Sequence, residues 1–281
     1  MRRFSILTPA AFLLVAASTG VTSAQTPPSR EGPPRLLQIF REQVKPGKGS
    51  AHEKVEAGWP RAFAKAKWPT HYLAMTTMTG PPEAWFLSGY ESFATWGKDQ
   101  QNVEQSPALL RELERLSAQD GELLSGVQSV VALYREDLSY RPNIKVGEMR
   151  YFMVTALTLR PGYDSAFAES RKLVNAGHQK AGMDEHFAIY QVVSGMPGPT
   201  YLVFLPMKSL EEVDVAQESH KRPYQDALGG EGRRQVREFA RAGILNVEST
   251  LFALSPRMSY PSKEVIEADP AFWSPKGTSA P

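Results

Sequence analysis

Short stretches of this chain alternate apolar and polar residues or run almost wholly apolar, and longer stretches between them repeat at helical spacing. "LLQIFREQV" from Leu36 and "YFMVTALTL" from Tyr151 have the pattern of strands, each closed by a Pro-Gly pair. Ala51, Val55, Trp59, Ala62, Phe63 and Ala66 then recur every three or four positions, as do Ala166, Ser170, Leu173, Val174, Gly177 and Ala181. Both series predict a helix with one buried stripe. Pro60 lies inside the first and predicts a kink, because it has no N–H to donate. Second strands are expected at the runs led by His71 and His186, and third strands at "AWFLSGY" from Ala84 and "TYLVFLP" from Thr200. Long helices should start near Ser92 and Ser209, and fourth strands fall around residues 127–135 and 244–254.

The two series are copies of one another. "KAKWPTHYLAMTTMTG" begins at Lys65 and "KAGMDEHFAIYQVVSG" at Lys180, an offset of 115. At that offset Pro46-Gly47 meets Pro161-Gly162, Ala51 meets Ala166, and Gly80 meets Gly195. Farther on the offset drifts by a residue or two: Trp85 is matched with Tyr201, Ser92 with Ser209, and Pro107 with Pro223. An ordered series of this kind implies duplication. Each copy reads β-α-β-β-α-β, the ferredoxin-like split unit of the α+β class. Such a sheet buries one face under its helices and needs a cover for the other unless that face is polar. In the strand from Tyr151, Tyr151, Met153, Leu157 and Leu159 on one face and Phe152, Val154 and Ala156 on the other are nearly all apolar. Burial on both sides follows, and the natural cover is the sister sheet, closing a barrel within one chain. The expected organisation is residues 25–35 as linker, 36–140 and 150–260 as the two units joined by 141–149, and 261–281 as a tail. Ile266, Phe272 and Trp273 are the residues able to tack that tail down.

This order and duplication resemble the dimeric α+β barrel superfamily, which includes antibiotic-biosynthesis-monooxygenase-like (ABM-like) and NIPSNAP-like domains. The resemblance covers both units. It implies ferredoxin-like sheets paired around a cavity, in a superfamily whose members include cofactor-independent oxygenases and haem-binding or haem-degrading enzymes. It carries over no catalytic motif residue by residue.

The first residues change the expected location. Arg2 and Arg3, an apolar stretch from Ala10 to Ala17 and the small residues Thr22-Ser23-Ala24 have the form of a secretory signal, residues 1–24, cleaved near Ala24 to leave a periplasmic or secreted chain. Cleavage removes two of the 32 basic residues and none of the 30 acidic ones, leaving the charges in balance. Balanced charge gives no long-range reason to bind nucleic acid, and no later stretch is apolar and long enough to span a membrane. With no cysteine in 281 residues, disulfides, thiolate nucleophiles and cysteine metal sites are all excluded. Nothing in the pattern specifies an oligomeric state.

Candidate chemistry is sparse. His71 and His186 open matching strands, and could act as a base or touch a ligand; either could equally be a structural histidine carried into both copies. Asp184 and Glu185 beside His186 should favour its imidazolium, leaving His71 as the more neutral of the two. "AHEKVE" has Glu56, not His, four residues after His52, so the zinc-protease spacing is absent. His178 lies near Asp184, Glu185 and His186 but aligns with Phe63 on an apolar stripe, which favours a buried histidine over a ligand. No metal and no cofactor are expected. Trp85, Tyr201 and Tyr190 suit the wall of an apolar cavity or plain packing. Gln38, Arg41, Gln43 and Gln191 are polar groups within strands due to be buried, and need partners there. Three readings follow: an exported barrel holding a small, mainly apolar molecule, with scope for cofactor-independent oxygenase chemistry; a solid barrel acting in assembly; and haem binding through a histidine.

Overall fold

The structure, a computed structural model, describes residues 32–215 and 221–274; the expected leader lies outside them. Strand β1 (Leu36–Val44) ends in the turn at Gly47, whose φ of +76° suits glycine, and gives way to α1 (Gly49–Glu56). That helix stops at Glu56 and α2 (Gly58–Lys65) starts anew, because Pro60 has no N–H to offer the Glu56 carbonyl. Then come β2 (Tyr72–Thr77), β3 (Glu83–Tyr90), α3 (Phe93–Glu104), α4 (Pro107–Gly121) and β4 (Leu124–Tyr134). Ser92 and Thr95 set the start of α3 with a reciprocal capping box: each hydroxyl accepts the other residue's backbone N–H, at 3.2 and 3.0 Å. The second copy supplies β5 (Tyr151–Leu159), α5 (Asp164–Lys180), β6 (Ala188–Ser194), β7 (Thr200–Met207), α6 (Glu211–Val215), α7 (Lys221–Gly243) and β8 (Ile244–Leu254). Its long helix α7 is broken at Gly229, where φ is +67°.

Within each copy the strands lie in the order of the split unit, β4-β1-β3-β2 and β8-β5-β7-β6. The copies join through β2 against β8 and β4 against β6, so all eight antiparallel strands close one barrel. The fold is the dimeric α+β barrel, built inside a single chain.

Alternation decides which side chains meet inside. Ile39, Met75, Trp85, Val130, Phe152, Val154, Tyr190, Leu202, Phe204 and Phe252 form one inner core. The opposite faces carry Leu36, Leu159 and Tyr201 under the helices. Burial of each large apolar side chain is worth about 1.5–3 kcal/mol, so both faces of both sheets hold the fold. The tail is part of this core. Helices α8 (Lys263–Ala268) and α9 (Pro270–Trp273) fold against the linker, where a Cβ at Gly147 would meet the Val265 carbonyl oxygen at 2.5 Å. Trp273 is buried, its indole N–H donates to the Gly147 carbonyl at 2.8 Å, and it belongs to the inner core. Arg150 pairs with Asp269 and lies 4.0 Å over the Phe272 ring, fixing the tail from its other side.

Candidate functional site

Most of the barrel interior is filled by apolar side chains. A recess remains where β8 parts from the β2–β3 hairpin, lined by Arg41, Glu83, Trp85, Val154, Glu248 and Thr250 among others. Its volume is about 30 Å3, room for one or two waters when a single water needs roughly 10–15 Å3. Arg41, inward-facing on β1, donates to both Glu83 oxygens at 3.2 and 2.9 Å. Its guanidinium lies 4.6 Å from the Trp85 ring, and the Trp85 indole N–H donates to Glu83 at 2.7 Å. The register places Arg41 opposite Trp85 on β3, which brings the three groups together. Arg41 and Glu83 are only 17% and 11% exposed, and the buried Arg41 Nε has no partner. A shielded ion pair on the wall of a small void can meet a water or a polar group of a ligand through the edges its partners leave uncovered.

The other residues singled out from the sequence divide by face. Tyr190 points inward, its hydroxyl donating to the Pro34 carbonyl at 3.2 Å and its ring packed on Tyr134 and Phe204. Tyr201 does not line the cavity. It packs on Phe167 with ring centres 4.5 Å apart and donates to Asp164 at 2.7 Å, under the helices. The reason is register: the loop after Gly195 is two residues longer than that after Gly80, so Leu202, not Tyr201, is the counterpart of Trp85. Arg41 faces Trp85 as Ala156 faces Leu202. Gln38 and Gln191 are half-buried and lie on the outer alternation as well, Gln191 accepting from Arg135 at 2.9 Å. Gln43, on the inward alternation, is at the exposed end of β1.

Neither repeated histidine lines the recess. The His71 ring sits 4.6 Å from that of Tyr260, with Nδ1 buried and unpartnered; burial pushes its pKa down against smaller opposing pulls from the Tyr260 backbone and Glu264. His186 lies 2.7 Å from the Arg141 carbonyl through Nδ1 and 3.3 Å from Asp184 through Nε2, near the surface. His178 is buried among Tyr140, Phe187 and Tyr224, with Glu185 3.0 Å away. No histidine among the described residues lines the recess, so none is placed there to ligate a haem.

Two features escape sequence reasoning. Glu83 and Glu248 join the recess, and the signal for them was an acid at an inward position of a strand. Glu42, His52, Glu56 and Asp120 meet in a buried cluster outside the barrel, behind β1. The sequence showed only the His52–Glu56 pair, because the other two come from a strand and a distant helix.

An eight-stranded closed barrel of two ferredoxin-like halves defines the class: a dimeric α+β barrel protein. Solved structures agree on the fold. An anthrone oxidase-like protein superposes with a TM-score of 0.54 at 12% identity, over 84% of this chain and 96% of its own. A candidate monooxygenase from Fusobacterium nucleatum subsp. nucleatum does so with a TM-score of 0.51 at 10% identity, over 78% and 91%. No protein-family model matches the sequence, and neither does any curated protein. No helix among the described residues is long and apolar enough to cross a membrane.

Proposed function

We propose that this is an exported barrel protein that binds a small molecule by one end, in the recess bounded by Arg41, Glu83 and Trp85. The observation that carries the reading is the shielded Arg41–Glu83 pair and Trp85 on the wall of a small void in an interior filled mainly by apolar side chains. The recess admits only a small polar group, so the rest of the ligand lies outside it. The oxygenase and anthrone-oxidase descriptions of the structural neighbours fit a small-molecule barrel, but catalysis by His71 or His186 has no support from their positions.

The test uses benzyl alcohol, which offers a neutral hydroxyl on an apolar ring, with benzoate as the anion that Glu83 and Glu248 should repel. Titration should shift the Trp85 indole N–H signal, assigned with Trp85→Phe, for benzyl alcohol and not for benzoate. If neither compound moves it, the barrel is solid, the reading favoured by the continuous packing of Met75, Phe152, Phe204 and Phe252. Export is checked separately: mass spectrometry of secreted chain should give a mature start at Gln25, and an intact Met1 would refute it.

A further inference from the structure

Outside the barrel, between β1 and the helices of the first copy, four ionisable side chains converge with no water-facing side. Glu42 comes from the outer alternation of β1, His52 and Glu56 from one face of α1 four residues apart, and Asp120 from the last turn of α4. Each is 5% exposed or less. His52 Nε2 lies 2.8 Å from Glu42 Oε2 and 3.7 Å from Asp120 Oδ1. One donor atom from each of the four lies within 4.8 Å of the others.

The cluster is short of partners. Both oxygens of Asp120 and Oε1 of Glu56 are buried with no hydrogen bond, and so is the hydroxyl of Tyr72 nearby. One imidazole cannot neutralise three carboxylates. Unsatisfied buried carboxylates are costly, so they need a reason to be there.

The duplication supplies an internal control. At the offset of 115, Glu42 corresponds to Leu157 and His52 to Phe167. In the second copy this place is an aromatic core: Phe167 packs on Tyr201 at 4.5 Å and on Phe239, from the last turns of α7, at 5.9 Å. Two of the four positions are thus apolar in the second copy, whereas Glu56 corresponds to Arg171, whose Nε is buried without a partner. Buried ion clusters are also poor stabilisers compared with apolar residues of similar volume. The fold does not require an acid and a histidine at the places of Glu42 and His52.

We propose that Glu42, His52, Glu56 and Asp120 form a buried site for one divalent transition-metal cation, of the Mn2+, Fe2+ or Zn2+ kind. One imidazole with three carboxylates matches that class and not the thiolate-preferring metals. Metal–ligand bonds of about 2.0–2.2 Å put donor atoms roughly 3–4.4 Å apart, close to the spacing seen, so small rotations complete the site. A dication balances two of the carboxylates and occupies the lone pairs left without donors. Because all four ligands are buried, the ion is taken up as the chain folds and is held thereafter.

The experiment refolds the full chain from urea with Mn2+, Co2+ or Zn2+ present, desalts it, and measures bound metal by elemental analysis. The expected result is one equivalent per chain, with a higher Tm than chain refolded with chelator. The double variant Glu56→Gln, Asp120→Asn should retain at least tenfold less, with circular dichroism confirming that it folds. Should that variant not fold, pulsed EPR of the Mn2+ form of the wild type decides: nitrogen modulation from a single imidazole is expected. No retained metal in the wild type, equal retention by the folded double variant, or Mn2+ without nitrogen coupling would each overturn the site.

Discussion

Trp273 gives the sharpest test of how the barrel is closed. Replacing it by Ala removes a side chain that is 5% exposed, together with a hydrogen bond to the Gly147 carbonyl. A buried tryptophan withdraws up to about 200 Å2 from water, worth near 5 kcal/mol at 25 cal/mol per Å2. Residual burial in the unfolded chain trims this to roughly 3–4 kcal/mol, and the orphaned carbonyl adds up to about 1. The expectation is therefore about 3–5 kcal/mol. With a urea m-value near 2–3 kcal/mol/M, the midpoint should fall by roughly 1–2 M with the slope unchanged. Trp273→Phe keeps most of the area and should lose about 1–2 kcal/mol. Equilibrium urea unfolding followed by circular dichroism reads all three chains. A loss below about 1 kcal/mol for Trp273→Ala would show that the tail only rests on the surface, and that the inner core is complete without it.

Asp99 accepts from the Trp68 indole at 3.1 Å, the Thr70 hydroxyl at 2.7 Å and the Tyr90 hydroxyl at 3.0 Å, so Asp99→Ala should cost about 3–5 kcal/mol in the same assay; a loss under 1 would deny its role as the tie between α3 and the sheet. Burial holds His71 below its ordinary 6.5, so the unfolded chain binds the extra proton between that value and the lower folded one. The stability owed to neutral His71 is whole above about pH 6.5 and drains away as the pH falls. His71→Gln should flatten that acid limb, and identical stability–pH curves for both chains would contradict the assignment. Residues 36–140 expressed alone should aggregate, because Ile39, Met75, Trp85 and Val130 would lose their cover; a soluble, cooperatively folding monomer would sink the pairing argument.

The architecture was legible because its causes are local or periodic. The two-sided apolar pattern of β5 demanded a second cover, and Ser92 marked a helix start without knowledge of anything distant. Strand faces were less secure. Two extra residues in the loop after Gly195 were enough to assign Tyr201 to the wrong side, since a slip of one position inverts a strand. The charged cluster was hidden for another reason. Asp120 is far from Glu42 and His52 in the chain, and only the packing of α4 on α1 makes it their neighbour. The His52–Glu56 spacing on α1 was its one visible trace.

The barrel has two seams, and one of them, β2 against β8, is its shortest ladder. The copies meet where Met75–Thr77 pairs with Phe252–Leu254 and where Val131–Tyr134 pairs with Tyr190–Ser194 across a bulge, whereas β1 pairs with β4 along its whole length. Local opening should therefore run along these seams first, as a hinge between two half-shells, before either half unravels. At high concentration an opened chain presents the complementary edges of a second opened chain. The duplicated gene would then rebuild, between molecules, the kind of two-part assembly that its fold now holds within one.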